Sequence, residues 1–516
     1  MKSDLNLIVK GAAFMAVGIF ASKILGYVYQ IFLARILTPG EFGLFLIATA
    51  VLGFFTMLAN FGVADSLPRF IAFYQTKKED GKVKGSIFAA IKIHLFTSVF
   101  LAAVFFFSAD WLAVAFFSKP EIAVLLRVLA LSLPISLIAT DYMASLEGFK
   151  RIEYKILARK IIEIISKILV LFLFFLMGLS LWGAVFSFII SEAVVLFFGI
   201  FVLHKKVFPA HYKTIKKAGM NKEILAFAWP LLLTGIFANI LVMIDTIMLG
   251  FFAPSYDTGL YGTAVPIGKL VLMPFDIIIV LGVPITATYF ALNQMDSLKK
   301  IFRTVSRWIF VFSLPLALLL ALFAEPVQVF LFGEAYRNSA TAMSILAIGY
   351  LLFSAFGPSH QVLIASGRTR LNFLNATAAG IIAVGLNLLF IPYFLQMGMA
   401  VVGAALSTMI AYFIWGAIGF IEMKMIFKLN PFTRQHVKTA VAAVLPICAA
   451  FFAVHEFLPY SIFSAIATGA IALAFYCLLL LALKCFEKED IEVLLAIEKK
   501  AGFRIEFLHR IMRRFI

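Results

Sequence analysis

Lys23, Glu192 and Lys269 are the residues whose placement calls for chemistry. Each stands about ten or more residues from either end of a long apolar run, which at ~1.5 Å per residue puts it near the middle of a bilayer and out of reach of snorkelling. A charge at that depth is costly unless a partner or a water-filled path receives it. A lysine ammonium so placed attracts phosphate or carboxylate oxygens as a point charge. Glu192 reads either as a cavity carboxylate or as the counter-ion of one of the lysines. Arg35 and Arg69 complete the candidate anion-binding set.

A second group carries oxygen ligands. Asn239 and Asp245 lie in one apolar run and Asn375 and Asn387 in another. Together they could hold Na⁺, or Asp245 could carry a proton; hydrogen bonding between helices is the plainer alternative. Around Lys269, Pro266, Gly268, Pro274 and Pro284 mark a bending element, because proline removes a backbone donor and kinks a helix. The stretch Gly262-x5-Gly268-Lys269-Leu270 imitates a phosphate loop. It is one residue too long and lacks the Ser/Thr, so no nucleotide-driven step is expected. No cofactor or metal centre is expected, and Na⁺ or H⁺ is the candidate coupling ion. Lys92, Arg127, Asp141 and Glu147 sit close enough to loops to be structural, while Glu163 and Lys167, four apart, can neutralise each other.

The elements that must position these groups follow from composition. Of 516 residues, 63% are hydrophobic and 14% charged, with mean hydropathy +1.03, too little polar surface for a water-soluble protein. A bilayer-spanning helix needs ~20 apolar residues. Fourteen such runs centre near 11–33, 42–64, 86–107, 121–145, 156–177, 181–203, 225–250, 260–290, 302–324, 339–365, 373–395, 399–426, 437–456 and 460–483. The class is an all-α polytopic membrane protein. The excess positive charge, +17 overall, falls on alternate connections: thirty-five cations against Arg35, Lys119 and Arg337 on the other side. That asymmetry orients both termini and the basic loops toward the cytoplasm and removes the case for nucleic-acid binding. Cys448, Cys477 and Cys485 show no metal or disulfide spacing. The N-terminal run continues past Lys23 to Leu33 without a cleavage site and reads as a retained span.

The chain also repeats itself. Met177-Gly178-x4-Gly183-Ala184-x2-Ser187 recurs as Met397-Gly398-x4-Gly403-Ala404-x2-Ser407, and Gly18-Ile19-Phe20-Ala21 as Gly235-Ile236-Phe237-Ala238. Further echoes (Gly62-Val63 in Gly282-Val283, Gly148-x2-Arg151 in Gly367-x2-Arg370) keep offsets of 217 to 220. Six spans per repeat give a parallel duplication, an arrangement that commonly encloses a transport path. The expected organisation is a six-helix bundle over 1–203, a basic loop over 204–222, a second bundle over 223–427, two added helices over 428–486 and an amphipathic cytoplasmic helix over 487–516 on anionic lipid. Lys23 falls opposite Ile240 in the repeat, so the midplane cations are not duplicated with the fold.

Ser22-Lys23-Ile24-Leu25-Gly26, Ala34-Arg35-x-Leu37-x-Pro39-x2-Phe42-Gly43, Asp245-x3-Leu249-Gly250 and Gly259-Leu260-Tyr261-x2-Ala264 together resemble the oligosaccharide flippase (Wzx-type polysaccharide transporter) family, of the superfamily shared with lipid II flippases and MATE exporters. The resemblance implies two bundles in a V around a cationic cavity that receives the diphosphate and sugars of a polyprenol-linked oligosaccharide. In the lipid II branch the position matching Lys23 is a cavity arginine, which implies a diphosphate contact for Lys23; Lys269 would be a second cavity cation. The implied function is flipping of polyprenol-diphosphate-linked oligosaccharides from the inner to the outer leaflet by alternating access, for surface polysaccharide assembly, in a prokaryotic plasma membrane. A glycan polymerase or transferase is the implied protein partner, and the chain itself would be a transporter and no enzyme. Two other classes compete: a MATE-like cation-coupled multidrug exporter, and a membrane glycan polymerase or transferase, which would need larger outer loops with catalytic carboxylates.

Overall fold

A computed structural model describes residues 23–207, 215–487 and Asp490. The start of the first expected span and the expected amphipathic tail beyond Asp490 lie outside the described residues, as do the side chains of Asn239 and Pro284. Every described element is helical, as a chain with no water to satisfy its backbone requires. The chain divides into two compact units, Met1–Gly262 and Thr263–Ile516, with the division inside one helix.

The first unit holds α1 (23–36), α2 (Pro39–Asn60), α3 (Val63–Thr76), α4 (Asp80–Trp111), α5 (Ile122–Ala130), α6 (Ser132–Gly148), α7 (Ile152–Leu157), α8 (Glu163–Leu176), α9 (Ser180–Val202) and α10 (Asn221–Phe252), and the opening of α11 (Ser255–Gly268). The second holds the end of α11, α12 (Met273–Ala291), α13 (Met295–Leu322), α14 (Ala324–Phe332), α15 (Ala340–Ala355), α16 (Ser359–Ala365), α17 (Thr369–Leu395), α18 (Ala400–Phe427), α19 (Arg434–Phe457) and α20 (Ile462–Ala482). The repeat assigns α10 to the second half, yet it packs against α2, α3 and α4 of the first unit.

Ten described helices are long and apolar enough to cross a membrane, or eleven if the bent pair α5 and α6 is one span, which indicates a multi-pass membrane protein. The three other expected spans have identifiable reasons for their absence from that set. The one at 11–33 runs into undescribed residues, and the one at 225–250 lies in α10 but includes residues whose side chains are outside the described set. The one at 156–177 carries Arg159, Lys160, Glu163 and Lys167 and begins in a π-helical turn, Ala158–Ile162.

Helix α4 shows how such a sequence sorts itself. Ala90, His94, Ser98, Phe105 and Ala109 form its buried stripe, while Phe96, Phe100 and Phe107 point outward, Phe107 at 82% exposed. Small and polar residues inside with large apolar ones outside is the pattern of a lipid-facing helix, where close packing and hydrogen bonds drive association.

The repeat is visible in backbone geometry. Gly178 (φ 75°) ends α8 two residues before α9, and Gly398 (φ 69°) closes α17 in the same way before α18. Left-handed backbone at these caps favours glycine. The motif around Gly43 and Gly259 has another cause. A Cβ on Gly43 would overlap the Ser255 carbonyl and one on Gly259 the Pro39 carbonyl, so α2 and α11 touch backbone to backbone.

In the second unit, α19 and α20 dock on α13 through Val311, Leu314, Ala443, Ile447 and Tyr476, whose hydroxyl donates to the Val311 carbonyl at 2.7 Å. Arg307, which in sequence falls among the cations of a basic connection, is 1% exposed and binds Asp490 at 2.7 Å and Glu487. Asp490 also accepts from Trp308 Nε1 at 2.6 Å. The segment after α20 is thereby pinned to α13.

Candidate functional site: a polar cavity beside a buried charge network

Inside the first unit lies a cavity of about 490 Å³, within the ~300–1,000 Å³ usual for small-molecule sites. Thr49, Thr56, Asn60, Asp65, Ser136 and Thr140 supply its polar wall, and Leu52, Met57, Leu137, Phe188, Leu232 and Met243 its apolar wall. Helices α2 and α6 contribute the hydroxyls, the amide and three of the apolar groups, α3 the Asp65 carboxylate, α9 the aromatic ring, and α10 Leu232 and Met243. The wall can hydrogen-bond hydroxyl-rich groups and stack a ring face. Among its described lining residues Asp65 carries charge, and no Lys or Arg does.

Directly behind Thr140 is a network of four charges. Arg159 Nη2 donates to Thr140 Oγ1 at 2.9 Å, and Nη1 reaches both carboxylate oxygens of Glu192 at 2.9 Å and Glu163 at 3.3 Å. Lys167 Nζ binds the other Glu163 oxygen at 2.7 Å and lies 5.1 Å above the ring of Phe188. Tyr29 on α1 meets Ser187 on α9 at 3.2 Å beside it. Two cations and two carboxylates make the group neutral as a whole. The π-helical turn that opens the fifth span carries Arg159, and such turns re-aim side chains within otherwise regular helices. The expected Glu163–Lys167 pair is present. Glu192 is a counter-ion, and the partner it pairs with among the described residues is Arg159. In sequence Arg159 stands among the cations of a basic connection, and its spacing of four from Glu163 and eight from Lys167 is the signal that sets it apart.

The remaining sequence candidates lie on several helices. Lys23, half-buried, opens the described part of α1, and Arg35 is exposed at its end. Arg69 on α3 is exposed and stacks over Phe227 at 4.2 Å. In α10, Asp245 is buried and accepts from the Tyr261 hydroxyl at 2.8 Å. Asn239 lies on α10, its side chain outside the described residues. Asn375 and Asn387 are both buried on α17, but twelve residues of helix separate them by about 18 Å, so they do not meet at one ion. Asn375 Nδ2 instead donates to Glu422 at 2.6 Å. No group of three or more His, Cys, Asp or Glu that could hold a metal occurs among the described residues.

The eighth span is broken where its prolines indicate. Pro266 is inside α11, Gly268 ends it, Lys269–Leu272 form a single 3₁₀ turn, and Pro274 stands in the first turn of α12, with Pro284 further along the same helix. Pro266 cannot donate to the Gly262 carbonyl, and Gln30 Nε2 does so at 2.8 Å. Ser313 likewise donates to the Val271 carbonyl at 2.9 Å. Lys269 is half-buried at the first position of the turn. Among the residues sequence placed near loops, Arg127 pairs with Asp110 and Glu147 with Lys155. Asp141 is fully buried against His94, a pairing that no local spacing signals.

Residues 8–285, just over half of the chain, match the family of polysaccharide biosynthesis proteins. The chain belongs to that family. This polysaccharide biosynthesis protein is 24% identical over 290 residues to the teichuronic acid biosynthesis protein TuaB of Bacillus subtilis, a match covering 54% of this chain and 57% of that one. It therefore spans little more than half the length of that relative. It is 25% identical over 440 residues to an uncharacterized membrane protein of Methanocaldococcus jannaschii, covering 79% and 82% of the two chains. Among solved structures, it resembles the inward closed conformation of the lipid II flippase MurJ with a TM-score of 0.71 at 16% identity, over 91% of this chain and 99% of the other. An inward-facing multidrug resistance MATE transporter of the MOP superfamily gives 0.65 at 16% identity, over 79% and 94%. At these identities the likenesses establish the shared fold of this family member.

Proposed function

We propose that this protein is a flippase that moves polyprenol-diphosphate-linked oligosaccharides from the cytoplasmic to the outer leaflet of the cell membrane by alternating access. The observation that carries the reading is the hydroxyl- and amide-walled cavity inside a lipid-facing bundle, in a chain of the polysaccharide biosynthesis family. Sugar hydroxyls cannot enter hydrocarbon without replacing their hydrogen bonds with water, and Thr49, Thr56, Asn60, Ser136 and Thr140 offer replacements. The diphosphate needs cations. Lys23 and Lys269, with Arg35 and Arg69, are proposed to supply them at successive stages of passage. Glu192 acts through Arg159, holding the wall at Thr140. The break at Gly268–Leu272 is proposed as the bending element. Asp245 is the proposed carrier of the coupling proton or Na⁺ contact, with Asn239 on its own helix; the separation of Asn375 and Asn387 removes them as joint ligands. Fourteen spans with both termini in the cytoplasm, and a glycan polymerase or transferase that receives the product, belong to the same proposal.

One observation favours a second reading. Asp65 gives the cavity an anionic group, as an exporter of organic cations would require. Uptake of a labelled cationic drug by proteoliposomes, set beside flipping of a lipid-linked oligosaccharide in the same preparation, separates the two: the flippase reading predicts the second and not the first.

A further inference from the structure

His94 on α4 and Asp141 on α6 are fully buried, with Nδ1 and Oδ1 2.8 Å apart. The other imidazole nitrogen, Nε2, is 2.8 Å from the Asn60 carbonyl. A carbonyl oxygen only accepts, so Nε2 carries a hydrogen. A proton must then also lie between Nδ1 and Oδ1, because a bare imidazole lone pair would otherwise face a carboxylate oxygen at contact distance. Whichever of the two atoms it sits nearer, that contact holds one proton and the pair is neutral overall. Without it the pair would be a buried anion, and Asp141 Oδ2 has no hydrogen-bond partner among the described residues to compensate.

The carbonyl that His94 holds belongs to an elbow. Helix α2 ends at Asn60, Phe61 and Gly62 are left-handed (φ 49° and 75°), and α3 starts at Val63. The interruption is braced by α4 at two carbonyls, Asn60 by His94 and Ala59 by Thr97 Oγ1 at 2.8 Å. Asn60 also turns its side chain to Asp65 at 3.1 Å. Asn60, Gly62 and Asp65 are part of the cavity wall.

We propose that His94 and Asp141 form a proton-binding site that latches the α2–α3 elbow, so that release of one proton from the pair toward Asp65 and the cavity frees the Asn60 carbonyl and reshapes the cavity wall. One proton leaves the pair for cavity water, and the hydrogen that stays on the imidazole sits on Nδ1, donated to the Asp141 carboxylate, so that Nε2 turns a lone pair to the Asn60 carbonyl and no longer holds it; the reverse step restores the Nε2–H bond. Of the other titratable groups on the elements packed around the pair, Asp65 on α3 and Tyr142 on α6 act on it electrostatically, and His204 stacks on Tyr142. Lys92 on α4 is exposed. Arg127, Glu147, Glu192 and Glu223, from α5, α6, α9 and α10, are engaged with Asp110, Lys155, Arg159 and Tyr74, and Glu41 of α2 is engaged at Thr38. The site stands on this hydrogen-bond geometry; only its use in transport rests on the function proposed above.

The elbow contains its own reporter, since Trp229 of α10 lies 5.7 Å from the Phe61 ring. The full chain in lipid nanodiscs is titrated from roughly pH 5 to pH 9, bracketing ordinary histidine titration, and the tryptophan emission missing from Trp229→Phe is read. The parent should show a one-proton transition. Asp141→Asn should fold as the parent does, because the amide can donate to a neutral His94 that keeps its bond to Asn60, and the transition should be lost. If that variant does not fold, His94→Gln, whose amide can also donate to the Asn60 carbonyl, is read in its place with the same expectation. A parent without a transition, or a variant that keeps it at an unchanged midpoint, overturns the proposal. In proteoliposomes Asp141→Asn should lose the stimulation of flipping by a pH gradient while retaining flipping down the substrate's own gradient. If the parent flips nothing, the flippase reading fails and the nanodisc titration still decides the proton site.

Discussion

Arg159 and Glu192, thirty-three residues apart, meet with both carboxylate oxygens 2.9 Å from one guanidinium nitrogen. The contact joins the start of the fifth span to the middle of the sixth and, through Thr140, to the wall of the cavity. An ion pair in this setting is worth little as net stability but is costly to break from one side, because the survivor is left charged and buried.

Arg159→Met should therefore lower thermal stability in detergent strongly, by about 3–5 kcal/mol if the remaining glutamates stay ionised. The double variant Arg159→Met with Glu192→Gln should recover much of that loss. Melting curves of the two proteins check this, and equal losses in both would show that the pair is not coupled.

The backbone contact between α2 and α11 gives a packing test. Gly43→Ala and Gly259→Ala each place a methyl group where the Ser255 or Pro39 carbonyl now sits. Each should cost about 1–3 kcal/mol as overpacking, whereas Gly26→Ala, with nothing within 4 Å of the added Cβ, should leave the melting temperature near the parental value.

Filling the cavity tests its role as a passage. Thr56→Trp and Ser136→Trp put bulky rings on the polar wall. Flipping of a lipid-linked oligosaccharide should fall at least about tenfold, equivalent to ~1.4 kcal/mol on the rate-limiting barrier, with expression and melting temperature close to parental. Parental flipping rates in both variants would place the path elsewhere.

Coupling is tested at Asp245. In Asp245→Asn the amide oxygen can still accept from Tyr261, so the local fold should hold. Stimulation of flipping by a Na⁺ or pH gradient should disappear. Unchanged gradient dependence would remove Asp245 from the mechanism.

What the sequence made legible follows from the solvent. In a bilayer each spanning helix must announce itself as an apolar run, so eleven of the expected spans match described helices, counting α5 with α6. Local chemistry also projected well: Glu163 and Lys167 at a spacing of four paired, and the prolines around Lys269 coincided with a broken helix. The contacts that shape the site were hidden because they join distant positions. Nothing linear pairs His94 with Asp141, forty-seven residues away. Arg159 follows Lys155 closely enough to look like loop charge, until a π-helical turn delivers it to Glu192. Asn375 and Asn387 illustrate the opposite error, since both fit an ion site by residue type but twelve residues of continuous helix keep them apart.

The most direct test of the account is transfer of a defined polyprenol-diphosphate oligosaccharide between leaflets by the purified protein in liposomes, with Lys23→Ala and Lys269→Ala beside the parent. The parent should flip the lipid-linked sugar, and each alanine variant, reconstituted at equal levels, should be slower by about tenfold or more, the scale expected for losing a charge-assisted contact worth ~1.5–3 kcal/mol. Flipping by both variants at the parental rate would contradict the assigned cations, and a parent that moves no lipid-linked sugar would contradict the function itself.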